Sequence, residues 1–106
     1  MKQVCFLLKI KKDRLDDYLQ SHQVWPELLD AMKSVGIRNY SLFKRDNGLA
    51  VGYFEAENPK ESLKKLAQME ISKRWEKSMA EFFEDGERDF DDTDEEDWLE
   101  RYFYMP

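Results

Sequence analysis

The first third of the chain combines one short apolar run with one long stretch of helical spacing. Residues 3–10, QVCFLLKI, form an apolar run that ends in polar residues, which is typical of a buried strand. Over residues 15–32, apolar side chains recur at the spacing of one helix face. Pro26 interrupts this stretch, and because proline lacks a backbone donor and clashes with the preceding turn, it predicts a kink or a restart. Gly36 predicts the end of the helix.

The middle of the chain predicts a β-hairpin followed by two helices. Residues 37–46 alternate between two faces, and residues 49–57 indicate the return strand. The Asp-Asn-Gly turn between them favours a hairpin because Asn and Gly tolerate positive φ. Asn58 followed by Pro59 is typical of a helix start. A second stretch of helical spacing covers residues 71–83.

The last quarter of the chain divides into an acidic stretch and an aromatic tail. Acidic residues are concentrated in residues 84–97, which are predicted to form a solvated loop. Residues 98–106, WLERYFYMP, have β-type aromatics and predict a last strand. The resulting order is βαββααβ, which we assign to an α+β fold, the ferredoxin-like βαββαβ pattern with an antiparallel sheet covered by helices on one face. We therefore expect residues 1–106 to form a single domain and, to cover the open sheet face, a homodimer packed sheet to sheet.

Charge and cysteine content narrow the class of partner. The chain has 17 basic and 23 acidic residues and a formal net charge of −6, which argues against binding a phosphate backbone. The single cysteine, Cys5, allows no intrachain disulfide and favours a cytoplasmic location. The N-terminal apolar run is too short for a membrane span and lacks a signal-peptide cleavage site. Because no metal-ligand cluster or glycine-rich phosphate loop is present, we expect no metal, cofactor, nucleic acid or membrane partner.

His22, the only histidine, is the candidate acid/base. It follows Tyr18 by four residues, a spacing that places both side chains on one helix face. A neutral imidazole both accepts and donates a proton near neutral pH, and the tyrosine hydroxyl adds a hydrogen-bonding group, so the pair can bracket a small polar molecule. A partly buried helix histidine without a chemical role gives the same pattern. Tyr40 and Trp75 are equally typical of a packed core.

Several motifs, in order along nearly the whole chain, resemble the L-rhamnose mutarotase family. The first lie within YLQSHQVWPELLDAMKSVGIRNYSLF, which begins at Tyr18 and contains His22, the Trp-Pro-Glu motif, a helix-ending glycine and an Asn-Tyr pair. Residues 73–79, KRWEKSM, are similar to the Arg-Trp segment that precedes the last helix of the family. Residues 102–106, YFYMP, are similar to its Phe-Tyr-Leu-Pro terminus.

This resemblance implies a dimeric α/β barrel of ferredoxin-like subunits that interconverts the α and β anomers of L-rhamnose, or of a related 6-deoxyhexose, without a cofactor. The proton donor of the family falls on His22, and its substrate-contacting tyrosines fall on Tyr18 and Tyr40. Its pair of substrate-binding tryptophans falls on Trp75 and Glu76. The resemblance thus implies that His22 and Tyr18 are catalytic, and that Tyr18, Tyr40, Trp75 and Glu76 bind the sugar.

Two departures from the family pattern concern the identity of the sugar more than the type of reaction. Glu76 replaces an apolar stacking surface with a carboxylate, which is costly to bury unpaired, so its side chain either turns outward or hydrogen-bonds sugar hydroxyls. The spacing from His22 to Trp25 is one residue shorter than in the family. Two alternatives follow: a cofactor-free monooxygenase on the same barrel, based on the aromatic pocket, and a non-catalytic sugar-binding dimer, based on Glu76.

Overall fold

The computed structural model describes residues 1–84, 86 and 97–106 of the chain. Three strands and four helices follow one another in the order predicted up to residue 83. The strands are β1 (Lys2–Lys9), β2 (Arg38–Lys44) and β3 (Leu49–Ala56). The helices are α1 (Leu15–Ser21), α2 (Pro26–Ser34), α3 (Pro59–Ala67) and α4 (Glu70–Met79). Short 3-10 turns precede α1 and follow α4.

The strands form an antiparallel sheet in the order β1-β3-β2. β1 pairs with β3 from Lys2 opposite Ala56 to Lys9 opposite Leu49. The predicted hairpin between β2 and β3 is confirmed, and Gly48 in its turn has a φ of +95°. A Cβ atom at this position would overlap the carbonyl oxygen of Ile10, so both the backbone angle and the space favour glycine.

The predicted helix over residues 15–32 is two helices, with the restart at Pro26. α1 ends at Ser21, and Pro26 occupies the first turn of α2, where its missing N–H costs no hydrogen bond. Trp25, directly before the proline, is extended, as expected for a residue in that position. His22 is therefore the residue that ends α1 and has a non-helical backbone. The His22 side chain therefore projects from the end of α1 and is not part of a continuous helix face.

Helices cover one face of the sheet and form the core with it. Alternate strand residues such as Val4, Phe54 and Ala56 are buried against helix residues such as Leu28 and Leu66. Burying a leucine or phenylalanine side chain stabilises the fold by about 1.5–3 kcal/mol, so this layer supplies most of the stabilising energy. Among the helices that the structure describes, none is long and apolar enough to cross a membrane.

The prediction of a last strand over residues 98–106 is wrong, since residues 97–106 contain no strand. One backbone hydrogen bond, from Leu99 N to Cys5 O (2.7 Å), joins this tail to β1. Beyond it, Tyr102 is 98% exposed and Phe103 is 75% exposed, so the aromatic side chains do not pack against the sheet. Aromatic composition favours a strand only where a neighbouring strand and a packed face are available. The predicted acidic loop, residues 84–97, lies mostly outside the described residues.

Candidate active site

A cavity of about 350 Å³ lies between the sheet and the helices. This volume is within the range of small-molecule sites, about 300–1,000 Å³. The cavity brings together all of the site residues that the sequence predicted, and these are Tyr18, His22, Tyr40, Trp75 and Glu76. Most of the remaining wall is apolar and includes Phe6, Leu8, Leu28, Met32, Leu42, Phe54, Leu63 and Met79.

Tyr18 is held at one end of the cavity by a cage of aromatic rings. Its side chain, on α1, is only 5% exposed. Its ring lies edge-on to those of Phe82 and Phe83, with centroids 5.9 Å and 5.6 Å away, and to that of His22 at 5.2 Å. Edge-to-face contacts at these distances are favourable and fix the orientation of a ring. The Tyr18 ring is therefore a rigid wall beside the imidazole.

The His22 imidazole lies between two aromatic side chains. Besides Tyr18, it contacts the Trp75 ring of α4, with a centroid separation of 5.5 Å and an interplanar angle of 84°. Burial lowers the pKa of His22 from its ordinary value, and a backbone hydrogen bond acts in the opposite direction. The imidazole is therefore largely neutral at pH 7, and its ring can accept a proton.

Burial raises the pKa of Tyr18 to about 12, and the charge of Glu76 adds to this shift. The phenol thus keeps its proton at every pH at which His22 changes charge. A protonated hydroxyl can donate a hydrogen bond to an oxygen of a bound molecule. The two neighbouring groups therefore differ in state at pH 7, because the imidazole is largely neutral and the phenol is protonated.

Consecutive residues of α4 supply an apolar surface and a carboxylate. Trp75 is 7% exposed and is supported from behind by Trp25, whose ring is edge-on at 5.1 Å and 87°. Glu76 is half-buried and is also among the residues that line the cavity. Its charge contributes to the raised pKa of Tyr18.

Tyr40 reaches the cavity from the opposite wall through an irregularity in β2. The register between β2 and β3 shifts between Arg38 and Ser41, and Asn39 has a φ of +53°, which is uncommon for a residue other than glycine. Such bulges redirect side chains. The Tyr40 ring stacks on that of Phe54 with centroids 5.8 Å apart and an interplanar angle of 15°.

Apart from Tyr40, the sheet residues that line the cavity were not identified from the sequence, and neither was Trp98. Phe6 lies across Gly52 of β3, where a Cβ atom would overlap the phenylalanine ring, so the glycine makes room for this part of the wall. The alternation of β1 and β3 contains the signal for Phe6 and Phe54, because every second residue faces the helices. Trp98 lies far from the other site residues in sequence, and no local pattern points to it.

The arrangement suits a small molecule that has both apolar and oxygen-bearing faces. Aromatic side chains form broad apolar walls, and a neutral imidazole, a protonated phenol and a carboxylate lie at one end. These are the features of a general acid/base site for a compact polar substrate. The described residues thus form an α+β fold that is consistent with the ferredoxin-like class, and its cavity is a candidate acid/base site.

Comparison with known proteins identifies the family of this chain. The sequence model of the L-rhamnose mutarotase family matches residues 3–105. The L-rhamnose mutarotase of Bacillus subtilis is 35% identical to this chain over 82 residues, which cover 76% of the chain and 78% of that protein. The L-rhamnose mutarotase of Pectobacterium carotovorum is 31% identical, with 99% of each chain covered. The chain belongs to the L-rhamnose mutarotase family, a family of isomerases, which confirms the resemblance.

A solved structure confirms the fold. The crystal structure of an L-rhamnose mutarotase from Formosa agariphila is similar to this chain, with a TM-score of 0.75 and 24% sequence identity. All of each chain is covered in this comparison. The two proteins therefore share a fold.

Proposed function

We propose that this chain is a mutarotase that interconverts the α and β anomers of L-rhamnose or a related 6-deoxyhexose. Family membership supports the reaction, and one observation supports the site: Tyr18, His22, Tyr40, Trp75 and Glu76 line a single cavity. Residues from α1, β2 and α4 converge there although they are far apart in sequence. This convergence is the arrangement that a substrate-binding site requires.

His22 acts as the acid/base in this proposal. Ring opening breaks the bond between the anomeric carbon and the ring oxygen, while the anomeric hydroxyl loses its proton and becomes a carbonyl. Both oxygens are attached to the anomeric carbon. One imidazole beside this carbon can therefore take the proton from the anomeric hydroxyl and deliver it to the ring oxygen. Rotation of the aldehyde and reversal of the same steps give the other anomer. The lowered pKa of His22 favours the neutral form that begins this cycle.

The remaining site residues bind and orient the sugar. Tyr18 donates a hydrogen bond from its phenol and holds the substrate against the imidazole. Trp75 offers the apolar face of its indole to the C–H groups of the sugar, and Tyr40 contacts the sugar from the sheet side. Glu76 accepts hydrogen bonds from sugar hydroxyls, and such bonds to a carboxylate are stronger than those between neutral groups. Its position in the cavity wall supports this assignment.

Saturation transfer between the two anomeric proton resonances of L-rhamnose tests the proposed activity. Faster exchange with the protein than in buffer is the expected result, and L-fucose provides the test of sugar selectivity. Quenching of tryptophan fluorescence by L-rhamnose, with exchange at the buffer rate, would replace this proposal with that of a sugar-binding protein. Consumption of oxygen with a quinol and no effect on any sugar would favour a monooxygenase.

We also propose a homodimer in which two sheets pack face to face to form a dimeric α/β barrel. The sheet face away from the helices carries an apolar row across all three strands, formed by Leu7, Val51 and Phe43. Leu7 is 43% exposed and Phe43 is 65% exposed in the single chain. Covering this row would remove apolar surface from water and stabilise the assembly.

Light scattering after size exclusion tests the assembly. The expected mass is twice that of the chain, and Phe43→Lys, which places a charge in the apolar row of the proposed interface, is expected to give monomers. Lys44→Gln changes the neighbouring exposed residue and is the matched control, which should remain dimeric. A wild-type protein that is monomeric at micromolar concentration would contradict the dimer.

Two further parts of the proposal concern domain organisation and location. We propose that residues 1–106 form one domain, since the family match extends over residues 3–105. The cytoplasmic location rests on Cys5, a half-buried free thiol. Fractionation of cells that express the full-length protein tests the location, and recovery from a secreted or membrane fraction would contradict it.

A further inference from the structure

We propose that Trp98 is an additional substrate-contacting residue, whose indole N–H donates a hydrogen bond to an oxygen of the bound sugar. This inference rests on the proposed function and adds a contact from the C-terminal tail to those from the helices and the sheet. Trp98 lines the same cavity as His22 and Trp75. It is partly buried and packs against the hydrophobic core.

The backbone next to Trp98 is anchored at β1. The N–H of Leu99 donates a hydrogen bond to the carbonyl oxygen of Cys5, with a distance of 2.7 Å. The neighbours of Cys5 include Phe6, which lines the cavity. This single bond therefore holds the tail where the Trp98 indole can form part of the cavity wall, although the residues after Leu99 are exposed.

The Trp98 indole nitrogen is a buried donor that lacks a hydrogen-bond partner. Its Nε1 atom is shielded from solvent, and none of the residues that the structure describes accepts its proton. Leaving a buried polar group unsatisfied costs about 1–3 kcal/mol, and such groups are rare in folded proteins. The rest of the indole is apolar and packs against the core, and this packing offsets the cost of the unsatisfied donor.

A sugar in the cavity supplies the missing acceptor. The indole N–H is a donor only, so its partner must be an oxygen with a free lone pair, such as a hydroxyl or the ring oxygen of a sugar. In the proposed complex, the Trp98 N–H donates to such an oxygen, and the unsatisfied group becomes a hydrogen-bonded one. An apolar ligand of the same size would leave the donor unsatisfied, and therefore Trp98 favours oxygen-rich ligands.

Nitrogen-15 NMR of the indole groups tests this contact directly. The chain has three tryptophans, so three indole N–H signals are expected, and Trp98→Phe identifies one of them by its loss. Saturating L-rhamnose is expected to shift the Trp98 signal downfield and to slow its exchange with water, as hydrogen bonding requires. A Trp98 signal that stays in place while L-rhamnose shifts another tryptophan signal would overturn the inference.

The Trp98→Phe variant also separates substrate contact from packing. Phenylalanine retains an aromatic surface but has no N–H, so KM for L-rhamnose is expected to rise about 2–10-fold, with a smaller change in kcat. Without sugar, the urea midpoint is expected to fall for either role, because phenylalanine fills less of the packed site than the indole does. A packing role alone predicts an unchanged KM, so KM and not stability separates the two roles. Leu99→Ala, at the exposed neighbouring position, is the control and should keep the wild-type KM.

Failure of this inference can be distinguished from failure of the proposed function. If the wild-type protein accelerates anomer exchange but the Trp98 signal and the Trp98→Phe KM are unaffected, only the assignment of Trp98 is wrong. If the wild-type protein neither accelerates exchange nor shows any sugar-induced change in its indole signals, both proposals are wrong.

Discussion

The helix side and the sheet side of the cavity differ in chemistry. On the helix side, His22, Tyr18 and Glu76 bring titratable groups together, and burial shifts the pKa of both ring residues. On the sheet side, Phe6 and Phe54 present rings that are packed into the core. In the proposed function, proton transfer therefore belongs to a helix end and its neighbours, while the sheet supplies the apolar wall and one phenol, that of Tyr40.

Substitution of His22 should have the largest effect on the rate of the reaction. With His22→Asn, the protein-dependent rate of anomer exchange is expected to fall by about 10²-fold or more, because acid/base groups contribute on the order of 10²–10⁴-fold. The urea midpoint should change little, since the residue lies at a helix end and is only partly buried. Saturation transfer measures the rate. Retention of more than about half of the wild-type rate would show that the proton moves through another group.

The matching change on the sheet side should act on stability. Phe54 is 1% exposed, and Phe54→Ala is expected to lower the free energy of unfolding by about 3–5 kcal/mol, because it removes a large buried side chain and enlarges the cavity. Urea unfolding at a fixed protein concentration measures this loss, and Phe54→Leu is the control with a smaller expected loss. If Phe54→Ala unfolded at the wild-type midpoint, the division between a chemical side and a structural side would not hold.

Removal of the Tyr18 hydroxyl should have an intermediate effect on the reaction. Tyr18→Phe retains the ring in its aromatic cage, but it removes one hydrogen bond to the substrate. The expected decrease in kcat/KM is about 2–10-fold, which corresponds to the typical free energy of one hydrogen bond. A decrease as large as that of His22→Asn would instead make Tyr18 a proton-transfer group. Steady-state rates at several concentrations of L-rhamnose distinguish the two.

The dependence on pH should be the smallest effect near neutrality. Because burial lowers the pKa of His22 below its ordinary value of 6.5, the rate is expected to be independent of pH well above the folded-state pKa and to fall as the pH decreases through it. Stability should follow the same direction, because the unfolded chain binds the proton more readily in that range. Tyr18, with a pKa of about 12, should leave the profile flat to about pH 10. A rate that rises on acidification would require the imidazolium as the starting form.

The two sides of the cavity also differ in how far the sequence could predict them. The spacing of Tyr18 and His22 is local, so the sequence predicted that the two rings lie together, although His22 ends α1 and does not continue its helix face. Pro26 correctly predicted a restart. The position of Tyr40 depends on a register shift in β2 that follows from pairing with β3, which no local pattern contains.

The C-terminal tail also shows that local sequence patterns do not predict long-range contacts. Its aromatic residues have the composition of a strand, but strand formation depends on pairing along an edge, and the described tail makes one backbone hydrogen bond to β1. Trp98 enters the cavity wall through that contact. Residues placed by long-range contacts therefore required the structure, whereas residues placed by helix geometry did not.

A single histidine makes one measurement decisive for the role of His22. Proton NMR of the imidazole C2–H resonance gives the pKa of His22 without any need for assignment, and the pH dependence of anomer exchange gives the pKa of the catalytic group. Both values are expected to lie below 6.5 and to agree with each other. A His22 pKa that lies at or above 6.5, or one that differs from the midpoint of the rate profile, would contradict the assignment of His22 as the acid/base of this cavity.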